Sequence, residues 1–248
     1  MKKVKLFDVN FDALTMAETV HLVQKKIILG KSTHLLGVNA DKINEIKNDS
    51  EMKRIVADAD IINADGASVV LASKILKRPL PERVAGIDLM QELLVLANTK
   101  GYPVYFLGAK ESVVSKMVPI LQKKYKKLRV AGYRNGYFAK DDWNDIANIL
   151  IKSKPSIVFV GITSPTKEYF IDFMLSKNVP SVFMGVGGSF DVLSGNIKRA
   201  PKIIQQLNLE WAYRVAQEPK RLFKRYFFGN AKFIREIFKE SHRLKKNA

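Results

Sequence analysis

Apolar and polar positions follow two different periods along the 248 residues. Short, almost uninterrupted apolar runs recur at "HLLGVNA" (34–40), "DIINAD" (60–65), "PVYFLGA" (103–109), "SIVFVGI" (156–162) and "SVFMGVG" (181–187). "VKLFDVNF" near the start and "LRVAGY" (128–133) are weaker instances. A run without polar alternation predicts a strand covered on both faces. Between the runs, apolar residues return at helical spacing, as Leu89, Leu93, Leu94 and Ala97 do in "IDLMQELLVLAN". Strand and helix in turn predict an α/β fold, a mostly parallel, Rossmann-like sheet with helices on both faces.

The pattern changes near residue 197. Beyond it Leu222, Phe223, Tyr226, Phe227, Ile234, Ile237 and Phe238 recur at helical spacing with Lys and Arg between them, and Pro219 and Gly229 punctuate the segment. Two or three helices are expected there, a basic helical appendage over 197–248 attached to an α/β domain over 1–196. No repeat or low-complexity linker separates the two.

Composition narrows the class. With 47% hydrophobic and 27% charged residues the chain is globular, and without cysteine it has neither disulfides nor thiolate metal ligands. His21, His34 and His242 fit no metal-ligand spacing. The longest charge-free stretch of the second half, Asn178 to Phe190, is 13 residues, short of the roughly 20 that a spanning helix needs. Asp8 and Asp12 interrupt any secretory signal in "MKKVKLFDVNFD", which predicts a cytoplasmic protein.

Charge adds a partner. Of the net +18, residues 198–248 hold +10, from 14 Lys/Arg against 4 Glu. A concentrated basic tail predicts an anionic partner, whether nucleic acid, anionic membrane or phosphorylated ligand.

In an open parallel sheet, ligands bind outside the carboxyl ends of the strands. Asp65 closes "DIINAD" at that end. It reads equally as an active-site carboxylate or as a cap on the helix beginning "GASVV". "DAD" at 58–60 resembles a metal-binding Asp-x-Asp, but Asp60 opens the strand that Asp65 ends. Five residues of strand put them about 16 Å apart, so Asp58 and Asp60 read as solvated surface. The loop "GVGGSFD" (185–191) follows a strand and would let backbone N–H groups approach a phosphate, although Phe190 stands where a dinucleotide fingerprint needs glycine. In "PERVAGIDL" (81–89) Arg83 precedes a helix expected to start at Asp88. It would stabilise a phosphate leaving group or form a surface salt bridge.

Together "RVAGIDL", "FLGAKESV", "GVGGSFDVLSGNIKRAP" and "LEWAYRVAQEPKRLFKRY", in this order, resemble the WecG/TagA/CpsF glycosyltransferases over essentially the whole chain from Val4. The resemblance is closest to the N-acetylmannosaminyltransferases of wall teichoic acid synthesis. It implies transfer of N-acetylmannosamine from a UDP donor to the 4-hydroxyl of GlcNAc on undecaprenyl diphosphate, with inversion and without metal or other cofactor. A base on the acceptor hydroxyl and a stabiliser of departing UDP are then required, which gives Asp65 and Arg83 those roles. Gly185, Gly187, Gly188, Asp191 and Asn39 are expected to line the UDP cleft, and Lys167 and Glu168 in "GITSPTKE" the sugar site. Arg214 and Arg221 would fold over the diphosphate.

The chain departs from the family at Lys167, usually glutamine, and at Gly37, often threonine. Lys167 would favour an acidic donor such as a uronate, or is a surface lysine. A uronate or glucose donor is the alternative within the family.

A lipid-linked acceptor also explains the appendage, whose basic and aromatic residues suit the inner face of an anionic membrane. Trp211 and Tyr213 are expected instead to pack on the main domain. Exposed apolar surface on the appendage predicts self-association in solution. A nucleic-acid-binding protein is the rival from another class, but no binding motif accompanies the charge.

Overall fold

The computed structural model of the chain describes residues 2–246, without the side chains at 221, 222 and 224–226. It opens with a hairpin, β1 (Lys3–Leu6) and β2 (Val9–Asp12), followed by α1 (Met16–Ile28), β3 (Thr33–Val38), α2 (Ala40–Glu45) and α3 (Ser50–Asp58). Next come β4 (Ile61–Ala64), α4 (Ala67–Ile75), α5 (Gly86–Lys100), β5 (Val104–Gly108), α6 (Glu111–Lys124) and β6 (Val130–Arg134). After α7 (Trp143–Ser153), β7 (Ile157–Gly161), α8 (Thr166–Ser176), β8 (Val182–Gly185) and α9 (Ser189–Leu193) the chain turns wholly helical. That last part is α10 (Lys202–Gln206), α11 (Glu210–Gln217) and α12 (Pro219–Lys246).

Six strands form one all-parallel sheet in the order β4-β3-β8-β7-β5-β6. The continuous apolar runs explain it: β5 and β7 are buried at every position, as strands covered on both faces must be. One core gathers around α1, α5 and α6, with Phe106, Phe159 and Phe190 in contact, and another around α7 and α8 on Trp143 and Phe170. β6, the weaker run, is a partly exposed edge strand.

The opening run "VKLFDVNF" is not a strand of this sheet but an antiparallel hairpin. Its turn places Phe7 and Asp8 at φ +55° and +62°, the two-residue geometry that suits the right-handed twist of a hairpin. The hairpin covers the outer edge of β4, where the buried carboxylate of Asp12 accepts the N–H of Ile62 at 2.9 Å. An edge donor that would otherwise invite another strand is thereby satisfied.

Gly229 does not divide the appendage as expected, and α12 runs through it for 28 residues. A Cβ at Gly229 would stand 2.9 Å from Asp41 Oδ1, and its carbonyl accepts Asn44 Nδ2 at 3.0 Å. The glycine serves close approach of α12 to α2. The second half of α12 docks through Phe233, which is buried against Phe7 at 5.3 Å between ring centres. Ile237 and Leu244 join the same core, and Arg243 pairs with Asp8 and Glu240.

Candidate active site

Four neighbouring strands, β4, β3, β8 and β7, end side by side. At about 4.8 Å per strand their ends span roughly 15 Å, the scale of a sugar nucleotide. Asp65 follows β4 and Asn39 follows β3, and the paired register of Val38 with Ala64 sets the two next to each other. Loop 185–188 follows β8, and Ser164, Lys167 and Glu168 follow β7.

Asp65 is held by both its neighbours. Its N–H donates to Val38 O at 3.0 Å, and its Oδ1 accepts the N–H of Gly86 at 2.8 Å. The carboxylate thus caps α5, which starts at Gly86 rather than Asp88, while α4 begins at Ala67 after Gly66 without a side-chain cap. Gly37 lies against it: a Cβ there would come 3.1 Å from Asp65 Cβ, so threonine at that position requires the aspartate to give by a few tenths of an ångström.

Segment 83–86 is zipped onto the end of β4. Val84 N–H donates to Ala64 O at 2.9 Å, and Arg83 Nε donates to Asp65 O at 2.9 Å. The rest of the Arg83 guanidinium faces the appendage, where Nη2 meets Glu210 Oε2 at 2.9 Å. Glu210 is shared with Arg199, whose Nε lies 3.3 Å from Glu210 Oε1 and whose two terminal nitrogens grip Asp88 at 2.7 and 2.9 Å. A chain of charges therefore joins the carboxyl edge of the sheet to the first turn of α11. Glu210 lies within the motif "LEWAYRV" but is legible there only as a helix-start acid; its two arginine partners come from remote loops.

Asn39 Oδ1 accepts the N–H of Lys42 at 3.0 Å and so caps α2. This directs Lys42 into a buried cluster. Its ammonium lies 2.9 Å from both Glu45 Oε2 and Glu168 Oε1 and donates to Ser164 Oγ. Lys167 Nζ approaches the same Glu168 oxygen at 3.2 Å. Glu168, expected beside the sugar, is fully buried and faces these two lysines instead. Burial raises its pKa, but Lys167, Lys42 and the Ser164 hydroxyl overcome that and hold it down at about 2.

The stem of Lys167 lies across Gly185, where a Cβ would fall 2.5 Å from Lys167 Cε. A ligand on the β8 loop meets Lys167 there, not bare glycine backbone. Gly187, at φ +50°, and Gly188 have open space where a side chain would be, and Asp191 is half-buried in the first turn of α9. Arg214 is exposed on α11; the side chain of Arg221 lies outside the described residues. Trp211 is 43% exposed and lines a groove together with residues of α12.

Asp60 is not simply solvated: Oδ1 pairs with Lys26 at 2.9 Å and Oδ2 accepts His34 N–H at 3.0 Å. Asp58 is exposed beside Arg54 at 3.2 Å. Both occupy the opposite edge of the sheet.

A parallel sheet whose strand ends gather a carboxylate, an arginine and an open glycine loop has the layout of an α/β enzyme for phosphorylated ligands. Residues 4–247 match the glycosyl transferase WecG/TagA/CpsF family. A protein of Bacillus spizizenii named N-acetylglucosaminyldiphosphoundecaprenol N-acetyl-beta-D-mannosaminyltransferase is 34% identical over 201 residues, 81% of this chain and 77% of its own. One of the same name from Staphylococcus aureus is 34% identical over 251 residues, 98% of this chain and 95% of its own. The chain belongs to the WecG/TagA/CpsF family of glycosyl transferases.

Proposed function

We propose that this enzyme transfers N-acetylmannosamine from UDP-N-acetylmannosamine to the 4-hydroxyl of GlcNAc-diphosphoundecaprenol, with inversion and without a metal ion. The position of Asp65 carries this reading: a carboxylate at a strand end, one oxygen anchored by Gly86 N–H, with an arginine tied to its own carbonyl. Asp65 takes the acceptor proton as the hydroxyl oxygen attacks the anomeric carbon. The bond from that carbon to the donor phosphate breaks, its electron pair leaves with UDP, and Arg83 meets the charge that develops. Open backbone at Gly187 and Gly188 receives the diphosphate, Asp191 and Asn39 flank the nucleoside, and Lys167 contacts the sugar.

Arg214 and Arg221 add cations to the diphosphate from the appendage. The acceptor is membrane-bound, and among the described residues no helix is long and apolar enough to cross a membrane. The basic appendage would hold the enzyme at the anionic inner face of that membrane. A uronate donor is the second reading, favoured by the Lys167 ammonium beside the β8 loop.

The test is sugar transfer to lipid-linked GlcNAc diphosphate in EDTA. Asp65→Asn is expected to lower kcat by about 10³-fold while UDP still binds. Full activity in the variant would reduce Asp65 to the cap of α5, and loss of wild-type turnover in EDTA would end the metal-free reading. Faster transfer from the uronate than from N-acetylmannosamine would select the second donor.

A further inference from the structure

Not every apolar side chain of the appendage docks on the sheet. Between α11 and the first half of α12 lies an open groove of about 450 Å³, lined chiefly by Trp211, Ala212, Val215, Phe223, Phe227 and Ile234. Phe223 and Phe227 stack at 5.8 Å yet remain 58% and 61% exposed. Aromatic surface left in water around a concave site calls for an apolar ligand.

The place of the groove selects the ligand. Glu210, the first residue of α11, is ion-paired with Arg83 beside Asp65, and the next residue, Trp211, already lines the groove. From Glu210 to Val215 is about 8 Å of helix at ~1.5 Å per residue. A molecule with a polar head at Asp65 and an apolar tail reaches the groove within two turns of α11. The two relatives carry in their names an acceptor built this way, a sugar joined through a diphosphate to a polyprenol.

We propose that the groove holds the first isoprene units of the acceptor, so that the enzyme grips one polyprenyl chain directly. This rests on the function proposed above. It differs from adhesion to a bilayer, which would cover the whole exposed apolar face, including Ile203 and Phe238, at 70% and 64% exposure.

Two measurements without vesicles test it. Rates are taken on GlcNAc-diphosphate acceptors bearing methyl, geranyl or farnesyl tails, below their micelle concentrations. For wild type, kcat/KM for farnesyl should exceed that for methyl by at least about tenfold, mainly through KM. Phe227→Ser should bring that ratio close to one, and Phe238→Ser, outside the groove, should keep it. In a Trp143→Phe background, Trp211 fluorescence should change saturably with farnesyl diphosphate, and Phe227→Ser should weaken that binding several-fold. Equal rates on all tails, or equal damage from Phe238→Ser, would overturn the groove. Saturable fluorescence with no turnover on any tail would leave the groove standing and sink the proposed reaction. Absence of both the fluorescence change and the tail dependence, with the methyl acceptor turning over, would sink the groove and leave the proposed reaction standing.

Discussion

The strand ends and the appendage solve opposite problems. At the strand ends each carboxylate is held by partners within the protein: Glu168 is neutralised between Lys42 and Lys167, and Asp65 accepts the N–H of Gly86. The appendage leaves Phe223, Phe227, Phe228 and Phe238 more than half exposed. α12 carries two apolar stripes. One, with Phe233, Ile237 and Leu244, is docked beside the hairpin, and the other, with Phe223, Phe227, Ile234 and Phe238, faces away. A buried ionic cluster fixes geometry at the expense of desolvation, whereas an exposed apolar stripe is stable only once something covers it. The first suits positioned chemistry, the second a ligand that arrives with its own apolar surface.

The largest effect on this contrast should come from Glu168→Gln. Two lysines would then face an uncharged amide in a buried site, and the domain should lose about 3 kcal/mol in denaturant unfolding. An unchanged midpoint would mean that Lys42 and Lys167 swing out to water and that the cluster is not rigid. Because Glu168 is held at about 2, the stability it adds is present above its ordinary value of 4.5 and is lost as pH falls from there towards 2.

A smaller effect comes from His34 on β3, which feels the charge of Glu168. His34 is buried, with no partner for Nε2, and burial pushes its pKa down to about 4 against the opposing charge of Glu168. The unfolded chain takes up that proton near 6.5 and the folded chain only near 4, so stability falls as pH drops through this window. Between pH 7 and 5 the loss from His34 should be about 2 kcal/mol. His34→Leu should flatten the pH dependence by that amount, and an unaltered slope would show that the imidazole finds water.

The smallest effect tests the joint between the regions. Glu210→Gln removes the carboxylate shared by Arg83 and Arg199 and should lower kcat/KM about tenfold, roughly 1.4 kcal/mol, with little change in melting temperature. Since Glu210 acts through Arg83, combining it with Arg83→Ala should add little further loss. Additive losses would place Glu210 outside this chain of charges.

Much of the fold was legible because burial on both faces writes itself as continuous apolar runs. The five strong runs became the five inner or hairpin-covered strands, β3, β4, β5, β7 and β8, and the weaker "LRVAGY" became the exposed edge. "VKLFDVNF" was ambiguous because a four-residue strand reads alike in a parallel sheet and in a hairpin. Helix starts were misjudged where the cap comes from afar: α5 is capped by Asp65, 21 residues earlier, and no local signal marks Gly86. Gly229 looked like a breaker because a glycine that admits a neighbouring helix and one that ends a helix have the same letter.

By itself, the sequence determined the parallel α/β architecture, the basic helical appendage and the residues at strand ends, since each depends on local periodicity or order along the chain. Only the tertiary structure decided which charges meet and which apolar stripe of α12 is covered. The Arg83–Glu210–Arg199–Asp88 chain, the Lys42–Glu168–Lys167 cluster and the docking of Phe233 on Phe7 all join residues from separate segments. Pairing energy depends on distance and burial, and neither is written in the spacing of residues along one chain.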